Sequence, residues 1–365
     1  MKNIGLYLHI PFCASKCPYC DFYSFRTDEE FKAAYVSRMT AEIKRKSDEI
    51  NCKANTLYIG GGTPSVLAYS QIASLVNTAK DCFLAENSEI TLECNPHGVT
   101  EDFFKEISAC GVDRISLGLQ SANTSERRRL GRRADCDEVK RAIEYAKKSG
   151  IENISLDVML GIPDSTLESL ENTLSFCTSQ DVRHVSCYIL KIEENTAFFK
   201  LREKLNLPDD DTVADMYLFM CDFLEKHGFG QYEISNFAVK GFESKHNLKY
   251  WNCEEYLGIG ASAHSFLSGR RFYCENDAQS FVKAPKYIPD GDGGDFSEFA
   301  MLKLRLTEGI TEKAVKERFG FSIPENMRKN AEKFVKNGLM VSDENSLRLT
   351  RNGFLLSNMI LAEIL

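Results

Sequence analysis

Residues 9–25 read HIPFCASKCPYCDFYSF, and they follow directly on an alternating apolar run, Ile4–Ile10, that predicts a β-strand. Three cysteines, Cys13, Cys17 and Cys20, stand in a C-x3-C-x2-C pattern. A disulfide framework would leave one thiol over, and a thioredoxin-like pair of Cys17 and Cys20 would ignore Cys13. Structural zinc takes four ligands from paired half-sites, yet no second C-x-x-C or H-x3-H occurs. A cubane iron–sulfur cluster suits soft thiolates at this spacing. With three thiolates one iron stays open, which is useless for plain electron transfer but serves to chelate a substrate.

The composition is that of a globular protein: 365 residues, 43% hydrophobic and 27% charged. A formal net charge of -8 argues against nonspecific binding to nucleic acid or anionic membrane. The N-terminal apolar run is too short for a signal peptide and meets Pro11 at once, and no run approaches a membrane span. Thirteen cysteines are many, but ten are scattered singly. Cys94, Cys110, Cys177 and Cys187 lie in apolar segments and read as small buried hydrophobes. The pattern predicts a reducing, cytoplasmic compartment.

From the cysteine loop outward, strands and helices alternate. Helix is expected at Asp28–Ile50, Ser70–Phe83, Cys136–Ser149 and Leu167–Cys177. Strands follow at Thr56–Ile59, ending in GGGTPS, and at 89–94, 114–119, 154–160 and 184–190. Six strands alternating with helices predict an α/β fold with a parallel sheet, curved into a partial barrel. Chemistry in such sheets collects at the C-terminal strand ends. Glu93, Gln120 and Asp157 fall there, as does the cysteine loop. Each has a plain alternative as a solvated strand end or helix cap, and Gly60–Gly62 could be only a tight turn. Together they read as a polar ring around a cofactor.

The segments LYLHIPFCASKCPYCDF, YIGGGTPS, LECNP, ISLGLQS, LGRR, LDVMLGIP and HNLKYW…LGIGASAHSF stand in order along the chain. In these it resembles the radical S-adenosylmethionine (SAM) enzymes, in the HemN/HemW branch related to oxygen-independent coproporphyrinogen III oxidase. The resemblance implies a partial (β/α)6 barrel followed by a C-terminal α+β winged-helix-like domain. It implies a [4Fe–4S] cluster on Cys13, Cys17 and Cys20, with SAM on the fourth iron. Gly61, Gly62 and Thr63 match the stretch holding the methionine amine. Glu93, Gln120, Arg132 and Asp157 match residues near its carboxylate, ribose or sulfonium. Tyr7 matches an aromatic near the site and Tyr19 one lying against adenine.

Two departures point away from the oxidase: Phe22 stands where the oxidase carries a further cysteine, and the first strand is reached by Ile4. HNLKYW (246–251) matches the HNxxYW signature of the branch's heme chaperones. The resemblance therefore implies a heme-binding protein that delivers heme to hemoproteins, membrane respiratory enzymes among the candidate recipients, without coproporphyrinogen oxidase activity. The oxidase is the alternative. His246 is the candidate axial ligand, with His264 next. On a strand, His246, Leu248 and Tyr250 would share one face suited to a porphyrin. A histidine satisfied within a packed motif is the competing reading.

The expected domains are residues 1–230, a partial barrel; 231–295, a connecting region with the HNxxYW motif; and 296–365, the winged-helix-like domain. Within the second, APKYIPDGDGGD (284–295) reads as a linker or surface loop. In the third, 11 Lys and Arg face 9 Asp and Glu, too even a balance for a phosphate-tracking surface. That domain is expected to be an interface or lid, not a nucleic-acid reader.

Overall fold

The computed structural model describes residues 3–365; the first two positions of the expected first domain lie outside the described residues. Six parallel strands form the centre: β1 (Asn3–Ile10), β2 (Lys53–Gly61), β3 (Leu84–Cys94), β4 (Arg114–Gln120), β5 (Asn153–Leu160) and β6 (His184–Ile189). They lie side by side in sequence order. The four expected helices form within two residues of their anticipated ends. Asp28 caps the first by accepting from Phe31 N–H at 2.8 Å, and Asp135 with Glu138 makes a capping box on the helix Cys136–Lys148.

Period-two alternation gives the strands two characters. Leu6, Leu8, Leu57, Ile59, Leu92, Leu117, Leu156 and Val185 turn to the helices and are buried. Their neighbours Tyr7, Tyr58, Glu93, Ser116 and Asp157 turn to the other face. One cavity is lined both by Tyr7 on β1 and by Asn195 beyond β6, so the sheet curves around that polar face. This is the expected partial barrel. The four cysteines read as apolar fillers are all buried.

The sheet is longer than the sequence suggests. Beyond β6 lie β8 (Asn236–Ala238) and β7 (Gly230–Gln231); beside β1 lie β9 (Tyr256–Ile259), β10 (His264–Leu267), β11 (Arg270–Cys274) and β12 (Tyr287–Asp292), twelve strands in all among the described residues. The expected boundary at 230/231 falls inside β7, and the strands on both sides of it belong to this sheet. The segment 284–295, expected as a loop, contributes β12, paired antiparallel to β11. Pro289 is tolerated because this is an edge strand, where a missing N–H costs no ladder bond.

The HNLKYW segment also departs from expectation. It is the helix Lys245–Trp251, capped by Ser244, and not a strand, so the shared porphyrin-stacking face does not exist. The helix closes the N-terminal ends of β1–β3. A Cβ on Gly5 would stand 3.1 Å from His246, whose backbone N–H donates to Glu89 at 3.3 Å. His246 is buried, with Nδ1 2.8 Å from Thr56 Oγ1 and Nε2 2.8 Å from Tyr250 Oη.

The C-terminal part combines a three-stranded sheet, β13 (Ile310–Thr311), β15 (Ser346–Leu349) and β14 (Met340–Ser342), with helices Glu312–Phe319 and Glu325–Lys336. β14 and β15 pair antiparallel as a hairpin. Arg351 ties this part to the helix Asp210–Lys226 through Asp222 and Glu225, both at 2.8 Å. No helix among the described residues is long and apolar enough to cross a membrane.

Because His246 holds the buried hydroxyl of Thr56 and the half-buried one of Tyr250, His246→Ala is expected to lower unfolding stability by about 2–4 kcal/mol in urea titrations at pH 7. Burial pushes the His246 imidazole down to about 3, so the wild type loses this contribution progressively as pH falls from about 6.5 towards 3. The gap between wild type and variant should therefore narrow at pH 5.

Candidate functional site

The cysteine loop leaves the C-terminal end of β1 and is tied down on two sides. Cys13 N–H donates to Phe25 O at 3.0 Å and Phe25 N–H to Pro11 O at 2.9 Å, closing the loop on itself. From the β2 turn, Gly62 N–H donates to Ile10 O and Thr63 N–H to Phe12 O, each at 2.8 Å. Thr63 Oγ1 lies 3.4 Å from Cys13 Sγ. The glycines are required by this approach. A Cβ on Gly62 would stand 2.7 Å from Phe12 O, and one on Gly61, at φ 112°, would stand 2.6 Å from the His9 ring.

All three thiols are free and partly exposed. Burial pushes the Cys20 thiol up, and the neighbouring Cys17 and Cys13 push it the same way, which marks the three as close. Among the described residues no three metal-binding side chains converge as a single-ion site requires. A cubane does not require it, since each thiolate takes a different iron. Behind the loop, Tyr19 packs with Leu130, Ile162 and Phe198, and Phe198 N–H donates to Pro18 O at 2.9 Å.

On the concave side stand Glu93 and Asp157, with Gln120 at the end of β4 and Arg132 in the segment that follows it. Glu93 accepts from Tyr58 Oη at 2.8 Å and from Gly61 N–H at 3.1 Å. Burial is the main reason its carboxyl is pushed up to about 7, with Asp157 adding to the effect. Burial likewise pushes Asp157 up to about 6, against a 2.9 Å hydrogen bond from Ser116 and the nearby Arg114. Gln120 sits at φ 68°, just past a register shift between β4 and β5. That left-handed strand end re-aims its side chain. Arg132 donates through Nη2 to Gly118 O at 2.5 Å, while Nη1 stands 4.0 Å from Cys17 Sγ. Its Nε is buried without a partner among the described residues. A guanidinium N–H left unsatisfied beside the cysteine loop suits a bound carboxylate. The soft thiol set, glycine cradle and unspent Arg132 donor fit a cluster and an amino-acid-bearing cofactor.

Tyr7 points into the same concavity, its hydroxyl 3.0 Å from His9 Nδ1. His246 does not join the ring. Its imidazole packs against the rings of Tyr58 at 5.2 Å and Tyr7 at 6.4 Å, and both its nitrogens are engaged, leaving no lone pair for iron in this arrangement. Sequence reasoning missed Tyr58 and Arg114. Each lies on the inward-facing register of a strand already identified, so the alternation in LYIGG and RISLGL carried the signal.

The family model described as the Radical SAM superfamily matches residues 7–177, and that of the HemN C-terminal domain matches 296–356. The chain is 34% identical to the heme chaperone HemW of Lactococcus lactis, covering 100% of this chain and 98% of that one. It is 34% identical to the HemW of Bacillus subtilis, covering 98% of each, and 37% identical to that of Escherichia coli over 74% of this chain and 72% of the relative. The structure of the E. coli coproporphyrinogen III oxidase HemN, a radical SAM enzyme, superposes with TM-score 0.85 at 21% identity, covering 100% of this chain and 90% of that one. That likeness shows the fold. The full-length identity goes further, and on it the chain belongs to the HemW family of radical SAM proteins.

Proposed function

We propose that this protein is a heme chaperone of the cytoplasm, holding a [4Fe–4S] cluster, SAM and heme, and passing heme to hemoproteins, with membrane respiratory enzymes as candidate recipients. The observation that carries this reading is the full-length similarity to HemW relatives. Cys13, Cys17 and Cys20 would hold the cluster. Gly61, Gly62, Thr63 and Arg132 would hold the amino-acid end of SAM, with Glu93, Gln120 and Asp157 along the rest. When bound, the pair supplies one-electron chemistry at the sulfonium. The chain's own part is positional and electrostatic. The glycine turn fixes the thiols, the Arg132 guanidinium suits a carboxylate, and two carboxyls on the concave wall suit a cation and ribose hydroxyls.

Phe22 supports the chaperone over the oxidase. It stands 63% exposed at the rim of the concavity, where the resemblance expects a cysteine in the oxidase. Protein reconstituted anaerobically with iron and sulfide should bind about one heme per chain and transfer it to an apo-hemoprotein. It should yield no protoporphyrinogen from coproporphyrinogen III with reductant and SAM present. Efficient conversion, read as protoporphyrin fluorescence after oxidation, would restore the oxidase.

The carboxyls give the cofactor pocket a pH signature. Both ionise more fully as pH rises through about 6–7, so SAM, a sulfonium cation, should bind more tightly at pH 8 than at pH 5.5. Glu93→Ala and Asp157→Ala should each weaken binding by roughly tenfold or more, the worth of a charge-assisted contact, while leaving iron content unchanged. Equilibrium dialysis across pH checks both. Equal affinity in wild type and variants would remove these residues from the pocket.

A further inference from the structure

A heme seat has three chemical requirements: a nitrogen, sulfur or phenolate oxygen with a free lone pair for iron, broad apolar faces for the macrocycle, and a cation for the propionates. The concave side holds a cavity of about 630 Å³, within the range of roughly 300–1,000 Å³ for enclosed organic ligands. Its lining includes the aromatic side chains of Tyr7, Phe22, Tyr250 and Tyr256, with Lys16 as a cation and Asp21 as a carboxylate. Lys16 Nζ donates to Phe22 O at 2.8 Å and Ser24 O at 3.5 Å, which leaves one of its three donors for a carboxylate.

The histidines can be sorted by their lone pairs. His9, His184 and His246 have both ring nitrogens engaged. His97 and His227 each spend Nδ1, on Glu138 and Phe223 O, and neither lines the cavity. His264 alone has no hydrogen-bond partner on either nitrogen among the described residues, and it is exposed into the cavity. It opens β10 opposite Tyr273, whose ring stacks on it at 5.2 Å and 24°, holding the imidazole plane without occupying its nitrogens. The cavity's phenols are poorer ligands. Tyr7, Tyr250 and Tyr256 are all hydrogen-bonded, and burial pushes each of these phenols up, away from the phenolate form.

We infer that His264 is the axial ligand of heme seated in this cavity, its macrocycle against the tyrosines and Phe22 and one propionate on Lys16. The inference rests on the heme-chaperone reading and adds the place and the ligand. His246, in the motif, acts at a distance: it closes the floor of the fold and anchors Tyr250, which lines the cavity.

The test is an anaerobic titration of cluster-loaded, full-length protein with ferric hemin, followed by optical absorption and electron paramagnetic resonance. Wild type should give the spectra of imidazole-ligated heme, and uniform 15N labelling of histidine should alter the nitrogen hyperfine couplings. His264→Ala should lose that signature and bind hemin at least tenfold more weakly, and added imidazole should restore the spectrum. His264 is exposed, so iron content and thermal unfolding of the variant should match wild type. His227→Ala should leave the heme spectra unchanged. Wild-type spectra in His264→Ala would overturn the ligand assignment while the heme-chaperone reading stands. Absence of hemin binding by wild type would overturn both.

Discussion

Two backbone hydrogen bonds, Gly62 N–H to Ile10 O and Thr63 N–H to Phe12 O, join the end of β2 to the start of the cysteine loop. The rest of the site depends on that junction. It sets the height at which Cys13 leaves the sheet, brings Thr63 to its sulfur and lays the glycine turn along the loop that carries all three thiols. The contact is between backbones, so the position at Gly62 has no flexible atom that can yield to a side chain. The same turn donates Gly61 N–H to Glu93, which couples the loop to the polar wall of the barrel. A local steric requirement thus orders both the cysteine loop and Glu93 on the polar wall.

The polar wall is held at a cost that a purely structural barrel would avoid. Glu93 and Asp157 are carboxyls whose burial favours the protonated form, and Arg114, almost wholly buried, lowers both only in part. Arg132 keeps an unspent donor beside Cys17. Groups left incompletely paired on one concave face, between well-packed apolar layers, are the physical mark of a surface made for a charged ligand. The cavity on the β1–β9–β10 side shares Tyr7 and the cysteine loop with this wall, so the proposed heme seat and the proposed cofactor pocket would have one common boundary.

Much of this was legible in the sequence. Alternating runs located β1 to β6; of their polar exceptions, Glu93 and Gln120 stand at or next to C-terminal strand ends, whereas Asp157 sits within β5. The three cysteines announced the loop. What failed did so for identifiable reasons. HNLKYW has no local signal strong enough to separate helix from strand over six residues, and tertiary packing under Gly5, Thr56 and Glu89 decides it. The β12 segment is rich in Pro, Gly and Asp, which normally mark loops; an edge position lets such a sequence pair. The motif drew attention to His246, whereas the availability of a nitrogen depends on partners at Thr56 and Tyr250, far apart in sequence or hidden by the wrong secondary structure. His264 carries the opposite property, an imidazole left unpartnered, which only the folded chain reveals.

The glycine turn, through its backbone contact, holds the cysteine loop in the geometry on which the proposed cluster site depends. The direct measurement is iron and sulfide content, with the paramagnetic signal of the reduced cluster, in Gly62→Ala reconstituted anaerobically. Gly230→Ala is the control, since its nearest neighbour would be an ordinary 3.8 Å away. The account predicts that Gly62→Ala folds, by circular dichroism, and keeps Cys13, Cys17 and Cys20, yet loses most of its iron, while Gly230→Ala retains a full complement. A full, wild-type cluster in Gly62→Ala would contradict it.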